Sequence, residues 1–343
     1  MSASISIIIV NYCTLELLRD CLNSLRKCET RNPEIIVVDN HSSDGSVTMV
    51  RGEFPDVVLI QSEENVGFAR ANNQGIRRAK GKYLLLLNSD TVVRRGAIDA
   101  MAEYMDAHPD AGGVACRLLY ADGKIQASVG RQAGPGIARQ MFRLFGFSRI
   151  VRGERMRRLL RRHLGFAIGR TLRSYLDPYV ADSALEVESI SGACLMLRRK
   201  AIDQIGLLDE AFFMYLEDLD YCMRLRRAGW KLYYVPAGEI VHLVGQSSGG
   251  RMRQYSIHAY NSLFYFYQKH YSTETLLVMR FVVFLAMSFR WVWNLVCNLF
   301  SSAPVYRTNR TDLEKVIRMS LQWRAGEALI SGEKPSRKPL SVD

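Results

Sequence analysis

A chain of 343 residues that is 48% hydrophobic and 23% charged is long enough to bury a core and too apolar to be disordered. Its seven cysteines, an odd number with no Cys-x-x-Cys pair, exclude a disulfide framework and a zinc site and point to a reducing compartment. The net charge of +12 is concentrated: between Arg131 and Arg173 stand twelve arginines, no lysine and one acid, Glu154, so this segment carries +11 and calls for an anionic partner.

The chain opens on Ile5-Ser6-Ile7-Ile8-Ile9-Val10, a first strand rather than a signal peptide, because no basic n-region or small-residue cleavage site accompanies it. A helix follows from Leu15 to about Leu25, with Leu15, Leu18, Leu22 and Leu25 on one face. A second strand, residues 34–38, ends at Asp39-Asn40, and the polar run Ser42 to Ser46 turns into a short helix. A third strand covers 57–60, and a helix opens from Asn65-Val66-Gly67-Phe68-Ala69 and runs through Ala79. Leu84 to Leu87, ending in Asn88-Ser89-Asp90-Thr91, reads as a strand buried on both faces whose carboxyl edge turns polar. A helix over 96–108 and a strand over 113–119 complete this half. Strands alternating with helices every 20 to 25 residues are the mark of a doubly wound sheet that binds ligands at strand carboxyl ends. No Gly-x-Gly-x-x-Gly or Walker loop follows the first strand, which argues against dehydrogenase and P-loop chemistry.

Between Gly130 and Asp177 arginines alternate with apolar residues, as in one or two basic amphipathic helices lying on anionic lipid or packed on the core; no binding motif for nucleic acid accompanies them. Strands resume at 186–189 and 191–197. Glu217, Asp218 and Asp220 then open a helix that Gly229 ends. Acids in a first turn serve the helix dipole, and a carboxylate approached by aromatic residues also serves as a general base. A strand at 230–235 follows, and His242 falls on a loop. An aromatic helix over 256–271 places Tyr260, Phe264, Tyr267 and Tyr271 on one face. Leu276 to Phe300 is apolar except for Arg280, Arg290 and a few neutral polar residues. That is long enough to span a bilayer, but Arg290 near its middle favours an in-plane or re-entrant helix. The Lys-, Pro- and Ser-bearing residues 331–343 read as a disordered tail.

Taken in order, several stretches resemble the inverting, nucleotide-sugar glycosyltransferases of family 2, with the GT-A fold, and most closely the rhamnosyltransferase-like branch. They are Ile7 to Tyr12, Val37 to Ser46, Asn65 to Gly75, Leu87 to Asp90, Ser191 to Ala193, Tyr215 to Asp220 and His242 to Gly245, spanning residues 4–250. The resemblance implies a mostly parallel, Rossmann-like α/β sheet flanked by helices. It divides the chain into a nucleotide-sugar-binding half (1–130), an Arg-rich insertion (131–178), a catalytic and acceptor half (179–252), a helical membrane-associated region (253–330) and the tail. It implies that Asn11, Asp39, Asn65, Gly67, Arg70, Asn73, Asn88 and Ser89 contact the nucleotide, and that Asp90 and His242 hold Mg²⁺ or Mn²⁺. Asp218 becomes the base with Glu217 orienting it, and Ser191, Gly192, Ala193 and Asp220 line the donor-sugar and acceptor side. Asn88 departs from the family pattern, standing where many relatives carry an aspartate. The implied reaction moves a sugar, dTDP-L-rhamnose first and a UDP-hexose second, to a lipid-linked or other saccharide acceptor. It would take place on the cytoplasmic face of a bacterial inner membrane, with a peripheral or monotopic protein and association of two copies left open. The competing reading is a non-catalytic nucleotide-sugar or membrane-binding protein on the same fold.

Overall fold

The computed structural model describes residues 5–28, 33–130, 136–145, 182–243, 257–300 and 310–322. The chain divides into two compact units, residues 1–254 and 255–343. Most of the Arg-rich insertion and the whole of the 331–343 tail lie outside the described residues.

The first unit is built on a nine-stranded sheet. Its first half runs β1 (Ile5–Asn11), α1 (Leu15–Lys27), β2 (Glu34–Asp39), α2 (Ser46–Glu53), β3 (Val58–Gln61), α3 (Phe68–Arg78), β4 (Tyr83–Asn88), β5 (Thr91–Val93), α4 (Ala97–Ala107) and β6 (Ala111–Leu119). After β7 (Val129–Gly130) and α5 (Ile137–Leu144) come β8 (Leu185–Val187), β9 (Ser189–Ile190), β10 (Cys194–Arg198), α6 (Arg199–Ile205), α7 (Glu217–Arg227) and β11 (Lys231–His242). The strand order is β3-β2-β1-β4-β10-β6-β11-β5, with β8 also on β11. Strands β3, β2, β1 and β4 are parallel, as are β6 and β11, and β10 runs antiparallel between β4 and β6. This is the mostly parallel α/β sheet expected, with β10 reversed inside it and β5 and β8 reversed against β11.

Burial explains why β1 and β4 occupy the centre. Leu84, Leu85, Leu86 and Leu87 are all at most 2% exposed. Side chains alternate across a strand, so Leu85 and Leu87 join Ile7, Ile9 and Leu22 on one face while Leu84 and Leu86 join Ile8, Ile76 and Leu225 on the other. A strand apolar on both faces is stable only where both faces are covered. The chain leaves β1 towards β2 and β3, then returns to β4 on the other side of β1, so the order reverses between β1 and β4. The crevice at such a reversal, beyond the carboxyl ends, is where open α/β sheets bind ligands.

The largest departure from expectation is β11, which extends through His242 instead of ending near Val235. Pro236-Ala237-Gly238 interrupts the apolar run, and the strand absorbs the interruption as a register shift between Val235 and Glu239. A Cβ at Gly238 would stand 2.7 Å from the Ala97 carbonyl oxygen, so the strand passes α4 only because glycine lies there. His242 therefore sits on a strand, paired with Thr91 of β5, and not on a loop.

The second unit packs α8 (Ile257–His270), α9 (Thr273–Phe300) and α10 (Arg310–Gln322). Tyr260, Phe264 and Tyr267 are buried as the helical spacing predicts, whereas Tyr271, one residue past the end of α8, is 38% exposed. On α9, Met279, Val283, Ala286 and Met287 are buried.

Two glycines separate packing from propensity. Gly238→Ala should lose about 1–3 kcal/mol in urea unfolding, the usual cost of forcing an atom into a filled space. Gly52→Ala in α2, where nothing lies within 4 Å of the new Cβ, should gain about 0.5 kcal/mol by propensity alone.

Candidate active site

The crevice is walled by polar residues at the carboxyl ends of β1, β2 and β4. Register places Asn11 beside Asp39 and Asn88 beside Val10. Asp39 is 3% exposed; its Oδ1 accepts from Asn11 Nδ2 at 3.0 Å and its Oδ2 from the Ser42 amide at 2.9 Å. Asn11 Nδ2 also donates to Ser42 Oγ, Thr14 Oγ1 donates to Asn11 Oδ1 at 2.6 Å, and Thr14 Oγ1 lies 2.9 Å from Ser89 Oγ. One buried network thus joins Asn11, Asp39 and Ser89, which were expected together, to Thr14 and Ser42, which were not. Asn65 enters from the next loop: its Oδ1 accepts from Asn40 Nδ2 at 2.8 Å and from the Gly67 amide.

The 65–67 loop is held where it is by backbone contact. Gly67 has φ +85, and a Cβ there would stand 2.4 Å from the Phe213 carbonyl oxygen, which the Phe68 amide meets at 2.7 Å. Arg70 and Asn73 do not join the crevice network. Asn73 is fully buried, donating to the Leu208 carbonyl and Glu210 Oε1 and accepting from the Leu208 amide. Arg70 and Arg77 pair with Glu210 at 2.9 and 3.0 Å. Burial alone would raise the Glu210 carboxyl, but Asn73, Arg70 and Arg77 outweigh it and carry the pKa down to about 2. These residues clamp α3 to the 208–210 turn, so Arg70 and Asn73, expected at the nucleotide, take part in a packing contact as well.

Beyond β4, Asp90 and His242 meet. Both are buried, and Asp90 Oδ1 lies 3.2 Å from His242 Nε2 although 152 positions separate them. Asn88 Nδ2 lies 3.3 Å from the same Nε2, and His242 Nδ1 lies 3.1 Å from Gln126 Oε1. With Nδ1–H donating to Gln126, the lone pair of Nε2 points at Asn88 and Asp90. Ligands at adjacent corners of a cation with bonds of about 2.1 Å stand about 3 Å apart, so the Asp90–His242 spacing fits a shared divalent ion. Among the described residues no group of three or more His, Cys, Asp or Glu could hold a metal. Two protein ligands with the Asn88 amide beside them suit an ion whose remaining corners are filled by phosphate and water. Gln126 has no sequence signal of its own; it comes to His242 through the turn after β6, where its amide bonds the Leu118 carbonyl at 2.8 Å.

The third group lies at the start of α7. Asp218 Oδ2 accepts from the Gly192 amide at 2.8 Å and its Oδ1 from the Leu219 amide at 2.8 Å. Gly192 lies in the turn before β10, and the Asn88 amide bonds the Ala193 carbonyl at 3.1 Å, so this turn ties Asp218 to β4. Burial raises the Asp218 pKa against the pull of those amides. Glu217 is raised well above the carboxylate range, by burial first and then by the Asp218 charge, and its Oε2 has no hydrogen-bond partner among the described residues. Asp220 faces other company: it is fully buried and bound by Arg224 Nε at 2.9 Å, and Arg224 also donates to the Ile205 and Leu207 carbonyls. That places Asp220, expected on the acceptor side, in a buried pair with Arg224.

Four non-glycine residues among those described have positive φ: Cys13, His41, Tyr215 and Leu216. The first two follow β1 and β2, and the last two immediately precede Glu217. Such backbone is costly and concentrates where the chain must aim side chains.

Glu217 sets a pH dependence of stability. Its folded pKa lies above its unfolded value of about 4.5, so its contribution is full below pH 4.5 and is lost as pH rises towards the folded value. Glu217→Gln should therefore be more stable than the parent in urea at pH 8 and indistinguishable from it near the lower pH. A constant difference across that range would show that burial does not bear on the charge.

With the geometry in hand, comparison with known proteins agrees with it. The sequence profile of Glycosyl transferase family 2 matches residues 6–206, and that of Glycosyl transferase family group 2 matches residues 147–310. A Mycobacterium tuberculosis protein named N-acetylglucosaminyl-diphospho-decaprenol L-rhamnosyltransferase is 28% identical over 262 residues, covering 73% of this chain and 79% of its own. A mannosyltransferase of Pyrobaculum calidifontis, solved with GDP-Man and Mn²⁺, superposes with a TM-score of 0.53 at 16% identity over 94% of this chain and 88% of its own. GalNAc-T7, solved with UDP, GalNAc and Mn²⁺, gives 0.52 at 15% identity over 77% of this chain, which spans about half of that one at 47%. The two solved structures share the GT-A type of fold with this chain. The profile match over more than half of its length, on a sheet with this crevice, makes the chain a member of glycosyltransferase family 2.

Proposed function

We propose that the protein is a metal-dependent, inverting glycosyltransferase of polysaccharide biosynthesis. It would move a sugar from a nucleoside-diphosphate donor, dTDP-L-rhamnose first and a UDP-hexose second, to a hydroxyl of a lipid-linked saccharide at a membrane. The observation that carries the proposal is the convergence of three acidic positions on one crevice: Asp39 behind β2, Asp90 against His242, and Asp218 tied to β4 through the Gly192–Ala193 turn. The rhamnosyl chemistry and lipid acceptor are suggested by the name of the mycobacterial relative, and Mn²⁺ by the conditions of the two solved neighbours.

Each residue then has a task. Asp39, with Asn11 and Ser42 fixing its carboxylate, accepts hydrogen bonds from the base or ribose, and the Asn65–Gly67 loop closes the same end. Asp90 and His242 would hold Mg²⁺ or Mn²⁺, with Gln126 fixing the imidazole tautomer. The ion supplies positive charge to the leaving diphosphate. Asp218 takes the proton of the acceptor hydroxyl as its oxygen attacks the anomeric carbon. The bond to the diphosphate breaks on the opposite face, so a single displacement inverts the configuration. A carboxylate with a raised pKa is a stronger base than an ordinary aspartate. Glu217, beside it at the start of α7, orients Asp218 or the acceptor.

Asp218→Asn should lower transfer by about 10²–10⁴-fold, the usual worth of a general base, while leaving donor-induced thermal stabilisation intact. Asp90→Asn and His242→Ala should lose the Mn²⁺-dependent part of that stabilisation. The rate of the parent enzyme should fall on the acid side with a midpoint above 3.8, the ordinary aspartate value. A panel of sugar nucleotides with and without Mn²⁺ names the donor by thermal shift. Stabilisation without turnover on any saccharide acceptor would favour the non-catalytic binding protein.

A further inference from the structure

Helix α9 has two apolar faces, and only one of them is used. Met279, Val283, Ala286 and Met287 are buried on one side of the apolar stretch Thr273–Val296. On the other side Leu277, Phe281, Leu285, Phe289, Trp293 and Val296 are each 41–62% exposed. They follow one another mostly every fourth residue, so they form a continuous band about 29 Å long at 1.5 Å per residue. No charge interrupts the band: Arg280 and Arg290 are the only charged residues between 275 and 300, and both are partly buried. A band of this size on one helix marks an interaction surface.

That length matches a bilayer core, so length does not say whether the helix crosses or lies flat. The packing does. Arg280 donates to the Ser320 and Leu321 carbonyls at 2.9 and 2.7 Å, and Trp291 Nε1 donates to Glu314 Oε1 at 3.0 Å. Helix α10 therefore lies along the middle of α9, and it carries Asp312, Glu314, Lys315 and Arg318. Were α9 to cross, those four charges would travel with it into hydrocarbon, where each is among the costliest groups to place. Lying flat, the same charges stay among headgroups and water.

We infer that α9 lies in the plane of an anionic bilayer surface, with the Leu277–Val296 band in the acyl boundary and α10 on the polar side. The band spans an arc of about 160° at 100° per residue, wider than the narrow seam of a two-stranded coiled coil, and Phe281, Phe289 and Trp293 are the aromatic residues such interfacial helices use. The chain's net charge of +12 favours anionic over neutral lipid. The inference deepens the proposal of membrane association and is independent of the transfer reaction, since Asp218→Asn should bind vesicles like the parent.

The test uses the full chain with phosphatidylcholine vesicles, with and without phosphatidylglycerol. Flotation should be strongest with the anionic lipid, and the double variant Phe289→Glu, Trp293→Glu should bind at least tenfold less while keeping its nucleotide-sugar thermal shift. Depth is then read with lipids brominated at different acyl positions. The difference in tryptophan quenching between the parent and Trp293→Phe reports position 293, and that between Leu285→Trp and the parent reports position 285, near the middle of the band. An in-plane helix gives both the same shallow depth. A position 285 deeper than position 293 by up to about 12 Å, the rise over eight residues, would mean that the helix crosses and would overturn the inference. Absence of vesicle binding, with a dimer that the double variant dissolves, would assign the band to a second copy instead.

Discussion

Everything in the first unit follows from the need to cover both faces of β4. Four consecutive leucines without a solvent-facing position force the strand to the middle of the sheet and force helices onto both sides. The first polar side chains on that strand appear only at its carboxyl end, where the cover stops. Because β1 pairs with β4 in parallel register and the strand order reverses between them, the polar ends of three strands open onto one crevice. Chemistry is confined there because polar groups have nowhere else to emerge.

The crevice was legible in the sequence where a local pattern marked it. The apolar runs of β1, β2 and β4 end in Asn11, Asp39 and Asn88, and each boundary could be read within a residue or two. What escaped was whatever depends on a distant partner. Arg70 and Asn73 sit on the helix that opens the nucleotide side, and their bonds to Glu210, more than 130 positions away, have no local signal. Gln126 is one polar residue in a loop until β11 brings His242 to it. The extent of β11 was hidden by Pro236 and Gly238, which locally signal an end but are accommodated by a bulge and by close packing on α4. Strand β5, three residues long, is too short for any periodicity to announce it.

The second unit shows the same division between pattern and partner. Apolar length along α9 allowed two relations to a membrane, and Arg290 near the middle favoured the in-plane or re-entrant one. The hydrogen bonds of Arg280 and Trp291, which bring a charged helix alongside, support the same choice. At a bilayer centre each of those charges would cost about 2.5–3.5 kcal/mol, which over four residues exceeds what the apolar band is expected to recover by crossing rather than lying flat.

The short ribbon of β7 and β9 has a consequence for how this chain could vary. Val129 pairs with Ile190 and Gly130 with Ser189, so the two ends of the long intervening stretch are stapled side by side at the sheet. Once a loop's ends are joined, lengthening it is cheap: each doubling costs only about 0.6 kcal/mol of closure entropy. Strand β8, inside the same stretch, pairs with β11, so the returning end is held at two points, and length added between Gly130 and Leu185 is compatible with the register on either side.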